Sequence, residues 1–263
     1  MSNSRSFDRA AGIYDQTRPL FEPIAKNGLQ AILDITGPNA RLLDVGTGTG
    51  RISVPLLERG TDLIGCDISS RMLSRLKEKL PSARIAQSDA AHLPFPTAHF
   101  DVVLTVHVLH LISPWREALG EFRRVLKPEG VYLNVKTWES AGVSIREQLR
   151  VHWRRWLDTQ GVSAGRVGIQ DEAEFQQELQ VLGGHLTKVE VIRYSVPFTL
   201  HEELERFESR VNSDTWDIPD DIFAQSMQEL RAWVESEFGD LDPDGQLTDE
   251  VRFVIDVVRF ESP

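Results

Sequence analysis

The sequence predicts an α/β protein built on a doubly wound parallel sheet. Three features carry that expectation. Short apolar, β-branched runs alternate with helical stretches from residue 41 onward, the first run leads into a glycine-rich turn that opens a helix, and no internal repeat competes with this alternation. A first helix is expected over Leu20–Asp34, ending before Gly37-Pro38. Strands are expected at Arg41–Val45, Leu63–Asp67, Arg84–Gln87, Val102–Val106 and Val131–Val135. Helices fill the gaps at Arg51–Glu58, Ser70–Lys79 and Trp115–Val125, the second with Ser69 or Ser70 as N-cap and Pro81 just beyond its end. Two later segments, Lys188–Tyr194 and Val251–Phe260, alternate branched and polar residues as strands do. Helical stretches at Ser144–Gln160 and Leu200–Phe238 interrupt the series, and Trp153, Trp156, Phe198, Phe207, Trp216, Phe223, Trp233 and Phe238 fall in or beside them. An apolar cap over the strand ends would enclose an organic ligand and exclude water. The helical spacing of Ile145, Leu149, Trp153 and Trp156 makes these, first of all, packing residues.

The run Arg41-Leu-Leu-Asp-Val-Gly-Thr-Gly-Thr-Gly-Arg51 reads as a cofactor cradle. Leu42, Leu43 and Val45 supply a strand buried on both faces, and Gly46, Gly48 and Gly50 remove the β-carbons that would hold a ligand off the backbone. Asp67 follows about 20 residues past the first glycine, at the end of the next strand, where a carboxylate takes both hydroxyls of a ribose. A nucleoside ligand is therefore expected. A dinucleotide fingerprint wants a third glycine for close helix packing and a pyrophosphate at the helix N-terminus. Here the glycines are evenly spaced and Arg51 occupies that third place. Asp44, just before the loop, suits a ligand with a cationic end better than one with a diphosphate. An amino-acid-bearing nucleoside, S-adenosylmethionine, meets both conditions.

In order along the chain, Leu42-Leu-Asp-Val-Gly-Thr-Gly-Thr-Gly, Gly65-Cys-Asp-Ile-Ser, the segment from Ser88-Asp-Ala-Ala-His-Leu-Pro to Phe100-Asp-Val-Val-Leu, and Phe122-Arg-Arg-Val-Leu-Lys-Pro-Glu-Gly resemble the class I S-adenosylmethionine-dependent methyltransferases. Tyr14-Asp-Gln-Thr-Arg-Pro is similar to the opening of the subgroup holding the ubiquinone and menaquinone C-methyltransferases and the biotin-pathway carboxyl O-methyltransferase. The likeness is close over roughly the first half of the chain. Beyond about residue 138 only the alternation of elements agrees, and Glu129 stands at a turn position that is often glycine in the family. The resemblance implies a Rossmann-like, seven-stranded, mostly parallel sheet with an antiparallel edge hairpin and a helical cap. Its implied organisation is an N-terminal arm and helix (1–40), a cofactor-binding core (41–137), a cap insertion (138–170), a continuation of the core (171–198), a second cap insertion (199–248) and a last core strand (249–263).

The resemblance also implies roles for single residues. The arm closes over the methionine end of the cofactor, with Arg18 forked onto its carboxylate and Tyr14 facing the sulfonium. Asp89 accepts from the adenine amino group while the Ala90 backbone N–H meets a ring nitrogen, and Ile68 and Met72 cover the faces of the base. Asp44, Gly46, Thr47, Gly48, Asp67 and Val106 complete the implied cofactor set.

Composition removes other readings. A formal net charge of -11 opposes a polyanionic partner. Nucleic acid is not an expected partner, and RNA methylation is disfavoured. No apolar stretch is long enough to span a membrane and the first residues lack the apolar core of a signal peptide, so a cytoplasmic location is expected. Cys66 is expected to pack as a small hydrophobe. Seven histidines and one cysteine show no metal-ligand spacing. Asp240, Asp242, Asp244 and Gly245 imitate a calcium loop, but Pro243 interrupts it and Val251 stands where the bidentate glutamate belongs. Arg146, Arg150 and Arg154, four residues apart, are read as a solvated helix face.

The expected function is transfer of the sulfonium methyl of S-adenosylmethionine to a small organic acceptor. A non-catalytic S-adenosylmethionine-binding partner subunit and an NAD-dependent oxidoreductase are the rivals. For proton removal the best candidate is His107, at the carboxyl end of a strand, where ligands bind in open α/β sheets and a histidine titrates near neutrality. His110 is expected to be packed or bonded to backbone.

Overall fold

The first strand, β1 (Arg41–Val45), is buried from Leu42 to Val45 because it lies in the middle of a sheet covered by helices on both faces. In the computed structural model, which describes residues 4, 6–18, 22, 24–140, 144–164, 167–169, 171–239 and 241–261, β1 pairs in parallel with β2 (Asp62–Asp67) on one side and β4 (Phe100–Val106) on the other. β3 (Arg84–Gln87) joins β2, and β5 (Leu126–Ser140) joins β4, again in parallel. With β6 (Gly184–Phe198) and β7 (Leu247–Phe260) the sheet has seven strands in the order β3-β2-β1-β4-β5-β7-β6. It is mostly parallel with one antiparallel edge. The expected strands are all present. β5 starts earlier than expected because Leu126 already pairs with Phe100, after which the register shifts and pairing resumes between Val102 and Val131.

The helices are α1 (Tyr14–Thr17), α2 (Leu29–Thr36), α3 (Ser53–Glu58), α4 (Ser70–Lys79), α5 (Trp115–Val125), α6 (Ile145–Thr159), α7 (Glu172–Val181), α8 (Leu200–Glu208) and α9 (Asp220–Phe238). A π-helical segment, Ile24–Gly28, leads into α2. Leu20, the expected start of the first helix, and Asp240 of the acidic run lie outside the described residues. No helix among the described residues is long and apolar enough to cross a membrane. Helix α7 was not expected from the apolar pattern, since it buries only Phe175 and Leu179. Its start is written instead in Asp171, whose carboxylate accepts the Glu174 N–H at 2.9 Å as an N-cap.

The chain divides into two compact units: residues 1–138, 167–192 and 253–263 in one, 139–166 and 193–252 in the other. In the first, Leu43, Val103, Phe100, Phe122, Tyr132 and Val258 belong to one buried cluster. Cys66 is buried in β2, and burial pushes its thiol up to about 12. A polar chain also crosses this unit. Tyr132 Oη and Thr105 Oγ1 lie 2.8 Å apart, Thr105 donates to Asn134 Oδ1, and Asn134 Nδ2 donates to Asp256 Oδ2 at 2.9 Å. Lys136 Nζ lies 3.0 Å from the same Asp256 oxygen and 3.5 Å from Glu172, which also pairs with Lys188 at 2.5 Å. Asp256, wholly buried, is thus held by residues of β5 from far earlier in the sequence.

In the second unit α6, α8 and α9 share a core of Leu149, Trp153, Phe207 and Leu230, and the Trp153 indole donates to Ser226 Oγ at 2.9 Å. The solvated face expected of Arg146, Arg150 and Arg154 is corrected here. Arg146 pairs with Glu203 at 3.1 Å and Asp249 at 3.7 Å, Arg150 with Asp214 at 3.5 Å, and Arg154 with Asp214 at 3.2 Å. Glu203 and Asp249 are buried, so Arg146 is an internal counter-charge, while Arg150 and Arg154 share the partly buried Asp214. Four-residue spacing aligns side chains on one face but does not say whether that face meets water or acids.

Candidate functional site

The site is built at the carboxyl edge of β1, β2 and β4, where the parallel strands release their loops. After Val45 the chain turns at Gly46, whose φ is 73° and whose missing β-carbon would come within 2.5 Å of the Val108 side chain. Only glycine permits both the conformation and the approach. Gly46 and Thr47 donate their N–H groups to the Cys66 carbonyl, which ties the loop across to β2. Gly48, with φ 58°, then aims its own N–H at Asp67 Oδ2, 2.9 Å away.

Asp67 ends β2. Its other oxygen accepts the Ser69 N–H at 2.8 Å, so each carboxylate oxygen is fixed by one amide and keeps a further acceptor direction. Burial pushes the Asp67 carboxyl up, against the opposite pull of those amides. Asp44 is more deeply set. It accepts from the Ser53 hydroxyl, which in turn shares a hydrogen bond with Thr47 Oγ1, and burial pushes its carboxyl up to about 6. Two carboxylates therefore stand beside the glycine loop, and Asp67 raises Asp44 further.

The remaining implied residues are distributed as follows. Met72 is buried on the first turn of α4, and its terminal methyl lies 3.5 Å from where a β-carbon on Gly48 would stand. The carbonyl of Ile68 accepts from Gln87. Asp89 follows β3, its Oδ1 taking the Ala91 N–H at 3.0 Å, and the buried Ala90 lies between the two in that turn. Val106 closes β4 opposite Val135 of β5.

The N-terminal arm is fastened to this edge. Asp15 accepts from Thr49 Oγ1 at 2.7 Å and pairs with Lys79 at 2.7 Å, while Lys79 also donates to the Thr49 carbonyl. Asp8 accepts from Ser69 Oγ at 2.6 Å and from the Arg71 N–H. Sequence reasoning missed Asp8, Asp15, Thr49 and Lys79. Their signal is weak, because polar residues in an arm and on a helix look alike until the fold brings them together. Arg18 is placed with its guanidinium 5.0 Å from the centre of the Tyr14 ring and 5.7 Å from that of Phe7, and Tyr14 and Phe7 meet edge to face. The arm thus brings Tyr14 and Arg18 together as a cation-aromatic pair.

His107, immediately after β4, has a φ of 55°. Its Nε2 accepts the Thr137 backbone N–H at 2.9 Å and lies 2.8 Å from Thr137 Oγ1. An amide can only donate, so Nε2 is unprotonated and the ring proton sits on Nδ1. Burial first, and then the charges of Arg51, His110, Arg18 and Lys136, push the imidazole down to about 3. This geometry weighs against the general-base expectation for His107, because its basic nitrogen is already engaged by Thr137 and burial lowers its affinity for a proton. The sequence signal was its position, and position alone does not set a pKa. His110 lies in the one-turn helix Leu109–Leu111, where its carbonyl takes the Gly168 N–H.

Comparison with known proteins agrees with the resemblance drawn from the motifs. Residues 43–134 match the model of the Methyltransferase domain family. An uncharacterized methyltransferase of Mycobacterium bovis is 35% identical over 127 residues, covering 48% of this chain and 50% of the relative. A demethylmenaquinone methyltransferase of Beutenbergia cavernae is 35% identical over 127 residues, covering 47% and 53%. The chain therefore spans about half the length of these curated relatives. Among solved structures, a putative methyltransferase from Bacillus halodurans superposes with a TM-score of 0.61 at 16% identity, over 89% of this chain and 98% of that one. At that identity the likeness speaks for the fold.

Proposed function

We propose, from the premise that residues 43–134 carry a methyltransferase domain, that the protein transfers the methyl group of S-adenosylmethionine to a small organic acceptor. The observation that supports this most is the pairing of Gly48 with Asp67: a carboxylate at the end of β2, held by two backbone amides beside a loop stripped of β-carbons. Such a carboxylate suits a ribose diol, whose two hydroxyls are donors. Asp89, with one oxygen committed to Ala91 and the other turned to no described donor, suits the adenine amino group, and Met72 and Ile68 suit the faces of the ring. Tyr14 and Arg18 suit the charged methionine end.

When bound, S-adenosylmethionine supplies a methyl carbon on a sulfonium, whose carbon–sulfur electron pair returns to sulfur as the acceptor's lone pair takes the methyl. The chain's own contribution is placement. Asp67, Asp89 and the loop fix the nucleoside, and the end of β4 bounds the space where an acceptor is held in line. Proton removal is not assigned to His107. The rival dinucleotide would bring a diphosphate to the loop beside the buried Asp44, which disfavours a second anion there.

Calorimetry with S-adenosylhomocysteine and with NAD tests the ligand, and methyl-labelled S-adenosylmethionine with fractionated small-molecule extract tests the transfer. Binding of S-adenosylhomocysteine and a labelled small product are expected. Binding of NAD alone removes the reading, and binding without transfer to any fraction favours a partner subunit.

A further inference from the structure

We propose that Arg51 receives an anionic group, in the simplest case a carboxylate, carried by the methyl acceptor. The inference rests on the methyl-transfer reading and names the class of substrate for that same site. Arg51 follows directly on Gly50, half-buried, at the end of the glycine loop. Its guanidinium makes no hydrogen bond or ion pair with any described residue, although the loop that carries it is fixed on both sides. Gly46 abuts Val108 after β4, and Thr49 is held by Asp15 and Lys79.

The charges around it argue for an anion from outside the chain. Arg18, Arg51 and Lys136 all bear on His107, so a protein of net charge -11 collects three cations around the end of β4. The acids at hand are already used. Asp44 is bonded to Ser53, Asp67 to the Gly48 and Ser69 amides, and Asp15 to Thr49 and Lys79. Lys136 has Asp256 and Glu172. Arg18 is the residue the proposed function gives to the methionine carboxylate. That leaves Arg51, a forked donor whose preferred partner is a planar oxyanion. The methyl donor is itself cationic at sulfur, so a neutral or cationic acceptor would leave Arg51 uncompensated, whereas an anionic one balances it as water is excluded.

The alternative source of the same chemistry is the cofactor's own carboxylate, and the test separates the two. Wild type, Arg51→Gln and Arg51→Lys, each checked for an unchanged unfolding midpoint, are titrated with S-adenosylhomocysteine by calorimetry. They are then assayed with labelled S-adenosylmethionine against small-molecule extract split at pH 7 on an anion exchanger. The expected result is S-adenosylhomocysteine affinity within twofold of wild type in both variants and methyl acceptance confined to the retained, anionic fraction. With that fraction, Arg51→Gln should raise KM tenfold or more while kcat changes less, and Arg51→Lys should recover part of the loss. A tenfold loss of S-adenosylhomocysteine affinity in Arg51→Gln overturns the proposal by making Arg51 the cofactor's ligand. Methyl acceptance in the unretained fraction, or an unaltered KM, overturns it while leaving methyl transfer intact. A wild type that binds no S-adenosylhomocysteine overturns the methyl-transfer reading itself.

Discussion

Asp67 and His107 both lie at strand ends, yet their surroundings give them opposite consequences. Asp67 is anchored by amides on one side and keeps acceptor capacity on the other. Asp67→Ala should weaken S-adenosylhomocysteine binding by roughly 1.5 to 3 kcal/mol, the scale for hydrogen bonds to a charged group. Calorimetry on a variant with wild-type circular dichroism checks it, and unchanged affinity would remove the ribose assignment. His107 is held neutral. A histidine whose folded pKa is depressed favours the folded state while neutral, so this stability is present above the unfolded pKa of 6.5 and is lost as pH falls toward about 3. Its ring signals should therefore not titrate between pH 5 and 8 by NMR, and a midpoint near 6.5 would restore it as a candidate base. The glycine loop was legible because a turn at positive φ packed against Val108 allows few residue types, and Asp67 because it ends the next strand. The state of His107 was not, because Thr137 lies 30 residues on and nothing in the local sequence reveals the contact.

At the scale of elements, the arm before β1 shows how short segments are held without a core of their own. Helix α1 has only four residues and buries none of them, so its own hydrogen bonds cannot keep it in place. Its position comes from Asp15 on Thr49 and Lys79, aided by Asp8 on Ser69. The Asp15–Lys79 pair is partly exposed and is worth at most about 1 kcal/mol. Asp8→Ala with Asp15→Ala should consequently leave the unfolding midpoint nearly unchanged while hydrogen exchange around residues 10–18 speeds up. Protection equal to wild type would mean that Phe7 and Tyr14 hold the arm by packing. The long periodic elements α4 and α5 were legible to the residue, α4 because its Ser69 cap coincides with its apolar stripe and α5 from its apolar stripe alone. The arm was not, since its structure depends on partners supplied by the glycine loop and α4.

At the scale of the molecule, Asp256 shows what joins the later part of the first unit to the earlier. It accepts from Asn134 and Lys136 of β5, and Glu172 of α7 ties Lys136 to Lys188 of β6. Asp256→Ala would leave the buried Asn134 amide and a largely buried ammonium short of an acceptor. A loss of about 3 kcal/mol is expected, the lower end for breaking a buried ion pair because Glu172 still faces Lys136. Urea unfolding checks it, and a loss under 1 kcal/mol would make the polar chain incidental. The alternation of strands and helices was legible in the sequence, and the polar wiring was not, because Asn134 and Asp256 are 122 residues apart. The sheet order has a consequence for synthesis. β7, seventh along the chain, lies between β5 and β6. As the polypeptide leaves the ribosome, the first five strands can find their partners in turn, but β6 emerges with no neighbour to bond and waits through α8 and α9 for the strand that joins it to the sheet. During that interval β5 and β6 each offer an unsatisfied edge, which is the state in which a nascent chain is most exposed to mispairing and to chaperone capture.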